Sequence, residues 1–343
     1  MSTDLRVAVI GAGAMGADHI RRIHTTIAGA QVSAVVEPDE SRRTAALDSA
    51  PGALGYAHLD DALASGLVDA VVIATPGQFH EEALLTVIDA GLPTLCEKPL
   101  TPGPESAWRV VEAEIAGGKQ LIQVGFMRRF DREYEELRRL ITSGDAGELL
   151  LIHAVHRNPS VPPSYRQEML INDSVVHEFD VVPWLAGGTI TSVEVRHAKR
   201  NPNSPERLRE PILVLIELDN GVLVDVEMNV SIRFGYQVAT EAVFSQGVAR
   251  IGQPSGLQLW SDTGFGLSEH RDYTTRFRDA YDRQVQAWVD ATAVGTIAGP
   301  SAWDGYKVSV ACEAGVKALD TPGRVSVELP PTPAFYAGIP ATV

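Results

Sequence analysis

The sequence predicts an α/β protein in which a doubly wound parallel sheet is followed by a second α/β domain with a mostly antiparallel sheet. Over the first 124 residues, short apolar runs alternate with segments of helical periodicity, as in a parallel sheet covered by helices. From about residue 190, apolar runs follow one another across short turn signals, as in adjacent hairpins. The length of 343 residues also suits about two domains.

The chain opens with an apolar run, Leu5–Ile10, and a segment predicted to be helical, Ala14–Ile27. Between them lies Gly-Ala-Gly-Ala-Met-Gly at 11–16. In a Gly-x-Gly-x-x-Gly turn the first glycine permits the tight turn, the second lets a pyrophosphate approach the backbone, and the third lets helix and strand pack closely. The alternative is a plain turn without a ligand.

An acidic residue follows the second predicted strand, Val32–Val36. Glu37 stands at the distance from the glycine turn where the Rossmann pattern has an acid that accepts hydrogen bonds from the adenosine ribose. Turn, strand and acid together predict an NAD site, since a carboxylate would repel the 2′-phosphate of NADP. A solvated carboxylate is the alternative for Glu37, and the nearby Arg42 and Arg43 weaken the preference for NAD over NADP.

Two further strands of the first domain end in polar residues. Predicted strands cover 68–75, 92–96 and 120–125, with helices at about 81–90 and 104–115. The first of these strands ends in Thr75 and Pro76, and the second is followed by Glu97, Lys98 and Pro99. Because open parallel sheets bind ligands at the carboxyl ends of their strands, we expect these residues near the glycine turn. The chain has only five lysines, so we treat Lys98 at this strand end as a candidate functional residue.

A candidate general base lies in the segment 171–185, which is predicted to be helical from its apolar positions. Asp173, His177 and Asp180 fall at i, i+4 and i+7, so a carboxylate comes within reach of the imidazole. A carboxylate beside a histidine holds its tautomer and raises its basicity, which suits proton abstraction near neutral pH. A structural role for His177 is the alternative.

The rest of the second domain is predicted from local patterns. We expect a charged helix ending near Gly144, a strand at 149–156, a proline-rich loop at 157–165, strands at 190–197, 212–218, 222–230 and 239–244, and closing helices at about 275–293 and 302–319.

Composition argues against several classes of function. The net charge of −15 opposes binding to nucleic acid or to an anionic membrane surface. No apolar run approaches the roughly 18 residues of a membrane span, and the N-terminus shows no secretory pattern, so we expect a cytoplasmic protein. The two cysteines, Cys96 and Cys312, are too few for a disulfide framework and lack metal-ligand spacing, so we expect free thiols and no metal.

Several segments, in this order, resemble the Gfo/Idh/MocA oxidoreductases: GAGAMG at 11–16, CEKPL at 96–100, GFMRRFD at 125–131, HRNP at 156–159 and DSVVHEFD at 173–180. Within that family the chain is most similar to the bacterial inositol 2-dehydrogenases. SAWDGY at 301–306 is similar to a C-terminal segment of the same group, so the resemblance covers nearly the whole chain. The loop at 161–164 is more proline-rich than expected for that group, and Phe179 stands where isoleucine is usual.

The resemblance implies a dinucleotide-binding Rossmann domain over 1–124 and a substrate-binding and oligomerisation α/β domain over 125–343, with an open, mostly antiparallel sheet. Such sheets often mediate dimers and tetramers, so we expect a homotetramer. It implies catalytic roles for Lys98, Asp173 and His177. The expected substrate contacts are Met127, Arg128, His156, Asn158 and Tyr236. The expected cofactor contacts are Gly11, Ala12, Gly13, Ala14, Met15, Glu37, Thr75, Pro76, His80, Glu97 and Lys98.

The resemblance further implies NAD-dependent oxidation of a secondary hydroxyl of a cyclic polyol, with myo-inositol and its 2-keto product as the first candidate. His177 would take the hydroxyl proton, Asp173 would orient the imidazole, and Lys98 would donate a hydrogen bond to the reacting oxygen. Another inositol isomer or a pyranose sugar is one alternative. A non-catalytic NAD-binding regulator is another, although a regulator need not keep these three residues together.

Overall fold

The computed structural model describes residues 4–253, 258–262 and 264–337, and the chain divides into two compact units. The first unit comprises the described parts of Met1–Met127, Tyr281–Ser309 and Pro330–Val343, and the second comprises those of Arg128–Ala280 and Val310–Leu329. We predicted a single division after residue 124, whereas the chain returns to the first unit twice. The last six residues of the predicted second domain lie outside the described residues.

Six parallel strands form the sheet of the first unit, in the order β3-β2-β1-β4-β5-β6. The strands are β1 (Leu5–Ile10), β2 (Ala30–Val36), β3 (Leu54–Tyr56), β4 (Ala70–Ile73), β5 (Thr94–Cys96) and β6 (Ile122–Val124). The helices are α1 (Ala14–Thr25), α2 (Glu40–Leu47), α3 (Leu59–Ala64), α4 (His80–Asp89) and α5 (Pro104–Gly117). The strand order reverses beside β1, as in a Rossmann fold, which confirms the predicted doubly wound sheet.

A seven-stranded mixed sheet forms the second unit, in the order β12-β11-β7-β10-β9-β8-β15. Its strands are β7 (Leu149–Arg157), β8 (Ile190–His197), β9 (Ile212–Leu218), β10 (Leu223–Asn229), β11 (Gln237–Phe244), β12 (Val248–Ile251) and β15 (Val325–Ser326), while β13 (Gln258–Ser261) pairs separately with β14 (Gly264–Leu267). The pairs are antiparallel except for β7 and β10. The prediction of a mostly antiparallel sheet is confirmed.

The remaining helices are α6 (Arg132–Ser143), α7 (Val176–Ala186), α8 (Tyr273–Arg276), α9 (Arg278–Ala293) and α10 (Ala302–Ala318). The predicted helix at 171–185 has two parts, because Leu170–Val175 forms a π-helix before α7 begins. A π-helix closes its hydrogen bonds over one more residue than an α-helix, so Asp173 and His177 do not have regular α-helical spacing. Such segments are frequent at functional sites.

The core of the first unit explains why the chain returns to it. Val7 of β1 and Ile20 and Ile23 of α1 belong to one buried apolar cluster, which also contains Val285 and Trp288 of α9. Trp288 is only 1% exposed. The sequence pattern predicted the helix at this position but not its partner, because helical periodicity identifies a buried face without saying what covers it.

Among the residues that the structure describes, no helix combines the length and hydropathy needed to cross a membrane. Cys96 and Cys312 are both buried and free, as expected.

Candidate active site

The glycine turn, the end of β2 and the end of β4 line one cavity of about 820 Å³ in the first unit. Its lining includes these predicted cofactor residues: Gly11, Gly13, Ala14, Met15, Glu37, Thr75 and Pro76. Ala12 joins them through its backbone amide, which donates to the Glu37 carboxylate at 2.9 Å. Sequence spacing therefore located one side of the site, since the carboxyl ends of parallel strands share one edge.

The three glycines of the turn have separate geometric roles. Gly11 has a φ of +89°, and a Cβ there would approach the backbone of Ala74 to 2.9 Å. A Cβ on Gly16 would lie 1.8 Å from the Gly11 carbonyl oxygen, so the strand and helix can approach this closely only at a glycine. A Cβ on Gly13 would have no atom within 4 Å, so there is room for a ligand at the N-terminus of α1. Free helix amides at such a position suit the negative charge of a diphosphate.

Glu37 is a fixed acceptor at the wall of this cavity. The backbone amides of Ala12 and Asp39 donate to its two carboxylate oxygens at 2.9 and 3.1 Å, and the side chain is only 5% exposed. A guanidinium nitrogen of Arg42 lies 3.5 Å from the same carboxylate. Nearby, the buried Thr75 hydroxyl makes no hydrogen bond within the described residues. A fixed carboxylate and an unsatisfied hydroxyl both suit the hydroxyl-rich NAD.

Two histidines support the strand ends that carry Thr75 and Lys98. His19, on α1, lies 2.7 Å from a carboxylate oxygen of Glu97, and His19 is completely buried. His80 is also completely buried, and its two ring nitrogens lie 2.8 Å from the carbonyl oxygens of Thr75 and Pro99. His80 thus connects the loops that follow β4 and β5, from behind the cavity wall rather than within it. Lys98 is half-buried.

The second unit gathers several of the predicted substrate residues. The ring of His156, on β7, lies 6.3 Å from that of His177 and 6.0 Å from that of Tyr236. A guanidinium nitrogen of Arg128 lies 3.2 Å from Nδ1 of His156. All four side chains are less than 10% exposed. Residues far apart in sequence thus form one polar cluster in the interior.

Arg128 forms an ion pair with Glu178 in which both side chains are almost completely buried. Burial alone would raise the pKa of Glu178, but the charge of Arg128, with a smaller effect of His156, lowers that pKa to about 2. Glu178 is therefore ionised whenever the protein is folded near neutral pH. Arg128 has its charge balanced within the protein, so it does not need an anionic substrate.

Burial lowers the pKa of His156, and the Arg128 charge acts in the same direction. Glu178 opposes this shift, and so to a smaller extent does Asp173, which places the Asp173 carboxylate within electrostatic reach of the ring. Asp173 itself is exposed. His156 is therefore neutral near neutral pH.

Three other predicted positions have different surroundings. Both oxygens of the buried Asp180 accept from Arg129 in a bidentate pair, at 3.0 and 2.5 Å. Asn158 has a buried side-chain oxygen with no hydrogen-bond partner among the described residues. Met127 is 1% exposed and belongs to the first unit.

Comparison with family models settles which family has this arrangement. Residues 5–126 match the model of the GFO_IDH_MocA oxidoreductase family with an NAD-binding Rossmann fold, and residues 134–250 match a GFO/IDH/MocA C-terminal domain. The chain belongs to the Gfo/Idh/MocA oxidoreductases. Its first unit is thus the NAD-binding Rossmann domain of an oxidoreductase.

This Gfo/Idh/MocA oxidoreductase has similar relatives along its whole length. The inositol 2-dehydrogenase of Leifsonia xyli subsp. xyli is 65% identical over 335 residues, which cover 97% of this chain and 98% of that protein. That of Corynebacterium glutamicum is 62% identical over 338 residues, with 98% and 100% covered. The crystal structure of the Lactobacillus casei myo-inositol dehydrogenase with NAD(H) and myo-inositol matches with a TM-score of 0.94 at 32% identity, covering 97% of this chain and 99% of that one.

Sequence reasoning missed two buried residues of this Gfo/Idh/MocA oxidoreductase, His19 and Glu178. His19 stands four residues after Met15 and four before Ile23, on the apolar face of α1. Glu178 likewise stands among the apolar positions of α7. A titratable residue on the buried face of a helix must find a polar partner, so this placement was the available signal.

Proposed function

We propose that this oxidoreductase catalyses the NAD-dependent oxidation of a secondary hydroxyl of a cyclic polyol, with myo-inositol as substrate and its 2-keto derivative as product. The full-length identity above 60% to two proteins named inositol 2-dehydrogenase carries this proposal. The internal balance of the Arg128 charge by Glu178 supports it, because an uncharged polyol offers hydroxyl groups rather than a carboxylate or phosphate.

NAD supplies the hydride acceptor of the reaction when it is bound. Glu37 would accept hydrogen bonds from the adenosine ribose, and the amides at the start of α1 would hold the diphosphate across the open space at Gly13. Ala12, Ala14, Met15, Thr75 and Pro76 would complete the cofactor contacts. His80 would contribute by holding the Thr75 and Pro99 loops in place.

Three side chains would carry the proton chemistry. His177 takes the proton of the reacting hydroxyl as a general base, and Asp173 orients its ring and stabilises the positive charge that it gains. Lys98 donates a hydrogen bond to the oxygen that loses this proton, and its charge favours the developing alkoxide. The role of Glu97 would be to hold the backbone of Lys98, whose amide nitrogen lies 3.3 Å from a Glu97 oxygen.

Substrate recognition would rest on Met127, Arg128, His156, Asn158 and Tyr236. The unsatisfied oxygen of Asn158 supports this assignment, because a buried acceptor without a partner is an available site for a ligand hydroxyl. Polyols present many hydroxyls that both donate and accept, so a wall of fixed acceptors and donors can select one stereoisomer.

We further propose a cytoplasmic homotetramer that acts in the breakdown of inositol. An apolar row crosses the open face of the second unit's sheet and supports contact between copies of the chain. Val248 lies opposite Val243, Val243 opposite Leu151, and Leu151 opposite Leu223. Val248 and Leu223 are 57% and 42% exposed, so association would bury apolar surface.

A screen of NAD⁺ reduction by inositol isomers and common pyranoses tests the proposed function. We expect the highest kcat/KM with myo-inositol, followed as absorbance of the reduced nicotinamide. A higher kcat/KM with scyllo-inositol, chiro-inositol or a glucose-like sugar would show that this compound, and not myo-inositol, is the preferred substrate. NAD binding without turnover of any polyol would instead identify a regulator.

A further inference from the structure

One ring nitrogen of His156, Nδ1, lies between two oppositely charged side chains. Its Nδ1 lies 3.2 Å from a guanidinium nitrogen of Arg128 and 3.4 Å from a carboxylate oxygen of Glu178. Arg128 and Glu178 are in turn paired with each other. The three side chains are 1 to 3% exposed, so water does not compete for these contacts.

The chemistry of arginine decides where the proton of His156 resides. A guanidinium has only N–H donors, so the ring nitrogen that faces it must offer a lone pair. A proton on Nδ1 would point one N–H at another, 3.2 Å away, in a buried site where such a clash is not screened. The Glu178 carboxylate favours the opposite arrangement, but both its oxygens lie 3.4 Å from Nδ1, farther than the guanidinium nitrogen, and Oε1 is already paired with Arg128.

We propose that the buried Arg128–Glu178 ion pair locks His156 in the neutral tautomer with its proton on Nε2, so that His156 serves the polyol only as a hydrogen-bond donor. Glu178 is then a positioning residue that acts through Arg128. The assignment rests on the proposed function in one respect, namely that the polyol is the group that receives the Nε2 hydrogen bond. The contacts of the ring with Arg128 and Glu178 both involve Nδ1, which leaves Nε2 to face the polyol.

This lock separates the roles of two adjacent histidines. The charged and titratable side chains around the His156 ring are Arg128, Glu178, Asp173, His177 and Tyr236. Arg128 lies in direct hydrogen-bonding contact and opposes protonation, whereas the nearest carboxylate already has a cationic partner. His156 thus cannot take a proton from a substrate, and the pH dependence of turnover belongs to another group.

Nitrogen-15 NMR of the full-length, ligand-free protein with labelled histidine tests the lock directly. Loss of a signal in His156→Gln assigns the ring. We expect an unprotonated Nδ1 and a protonated Nε2, unchanged from about pH 6 to pH 8. A proton on Nδ1, or a second proton gained within that range, would overturn the proposal.

Three variants show whether the ion pair sets the tautomer of His156. In Arg128→Met, Nδ1 faces the Glu178 carboxylate alone, so we expect the proton to move to Nδ1. Because that variant leaves a buried charge unpaired and can fail to fold, Arg128→Met/Glu178→Leu removes both charges and should leave a mixture of tautomers. Glu178→Gln keeps an acceptor for Arg128 and should retain the Nε2 tautomer. A double variant that keeps only the Nε2 tautomer would show that the pair does not set it.

The NMR readout needs no substrate, so it is independent of the polyol screen. An Nε2 tautomer that responds to these substitutions in a protein without dehydrogenase activity would preserve the lock and remove the proposed function. Turnover of myo-inositol by a protein with a proton on Nδ1 of His156 would support the proposed function and overturn the tautomer lock.

Discussion

His19 and Glu97 form a buried contact of 2.7 Å that joins helix α1 to the Glu-Lys-Pro segment after β5. Arg22 approaches the other ring nitrogen of His19 at 3.4 Å, and because arginine can only donate, the Nε2 proton of His19 points at Glu97. The second oxygen of Glu97 accepts from the backbone of Lys98. The carboxylate beside the lysine, whose role the sequence left open, is therefore held from the helix that follows the glycine turn.

Replacing His19 with leucine should lower the free energy of unfolding by about 1 to 3 kcal/mol, because it removes the side-chain donor to one oxygen of the buried Glu97 carboxylate. Urea denaturation measures this loss. His24→Leu, at an exposed position of the same helix, is the matched control and should change stability by less than about 0.5 kcal/mol. His19→Gln retains a donor and should recover part of the loss. Equal stabilities of His19→Leu and the control would show that the contact contributes little.

Lys98→Met should reduce kcat about 100- to 1,000-fold, the usual effect of removing a group that stabilises a developing oxyanion. The affinity for NAD⁺, measured by nicotinamide or tryptophan fluorescence, should stay nearly unchanged, since Lys98 does not line the Rossmann cavity. Lys119→Met at an exposed site serves as the control for loss of a lysine charge. Near-normal turnover of Lys98→Met would remove the lysine from the chemistry.

His177→Ala should reduce kcat about 100- to 10,000-fold, as expected for loss of a general base. Asp173→Asn should have a smaller effect, because the base remains while its orienting charge is lost. His153→Ala is a suitable control, since His153 pairs with Asp225 on the sheet of the same unit. Steady-state kinetics with the best substrate of the polyol screen measure all three. If His177→Ala retains wild-type kcat, the base is another residue.

Local patterns predicted the parts of this molecule that depend on neighbours in sequence. The glycine turn, the strand ends at Thr75 and Lys98, and the hairpins of the second sheet follow from spacing over a few residues. The parallel sheet is doubly wound, as predicted, because the strand order reverses beside β1. Seven of the predicted cofactor residues accordingly line one cavity.

The buried polar contacts that hold the site residues in place join residues far apart in sequence. The periodicity of a helix or strand does not specify such partners. His19 and Glu97 are 78 residues apart, and Arg128 and Glu178 are 50 apart. In each case a charged or titratable residue on a buried helix face signalled that a partner existed without identifying it. The π-helix at Leu170–Val175 was also beyond prediction, because its apolar residues fit an α-helix equally well.

Glu37→Ser should lower the preference for NAD⁺ over NADP⁺ about 10- to 100-fold, the value of a hydrogen bond to a charged group. Removing the carboxylate also frees Arg42, which lies 3.5 Å from it, to face a 2′-phosphate. The ratio of kcat/KM for the two cofactors measures the change, and the wild-type enzyme should prefer NAD⁺. Glu40→Ser, at an exposed position in the first turn of α2, controls for loss of a nearby negative charge. A wild-type preference for NADP⁺ would contradict the assignment of Glu37.

Glu114 of α5 links the start of β6 to the C-terminal segment that returns to the first unit. One of its oxygens accepts from the backbone amides of Leu121 and Ile122 at 2.6 and 2.8 Å, and the Tyr336 hydroxyl donates to the other. The side chain is completely buried, and burial raises the pKa of Glu114 even though these donors oppose the shift. The folded protein therefore holds this proton more tightly than the unfolded chain does.

Because the folded-state pKa of Glu114 is raised, its contribution to stability is complete below the ordinary carboxyl pKa and is lost as pH rises through the raised value. Glu114→Gln is permanently neutral, accepts from both amides and donates to the Tyr336 oxygen. The unfolding free energy of this variant relative to wild type should thus increase as pH rises from about 4 to 7. Urea denaturation across that range measures it, with exposed Glu112→Gln on the same helix as control. A difference that is independent of pH would show that Glu114 titrates alike in the folded and unfolded chains.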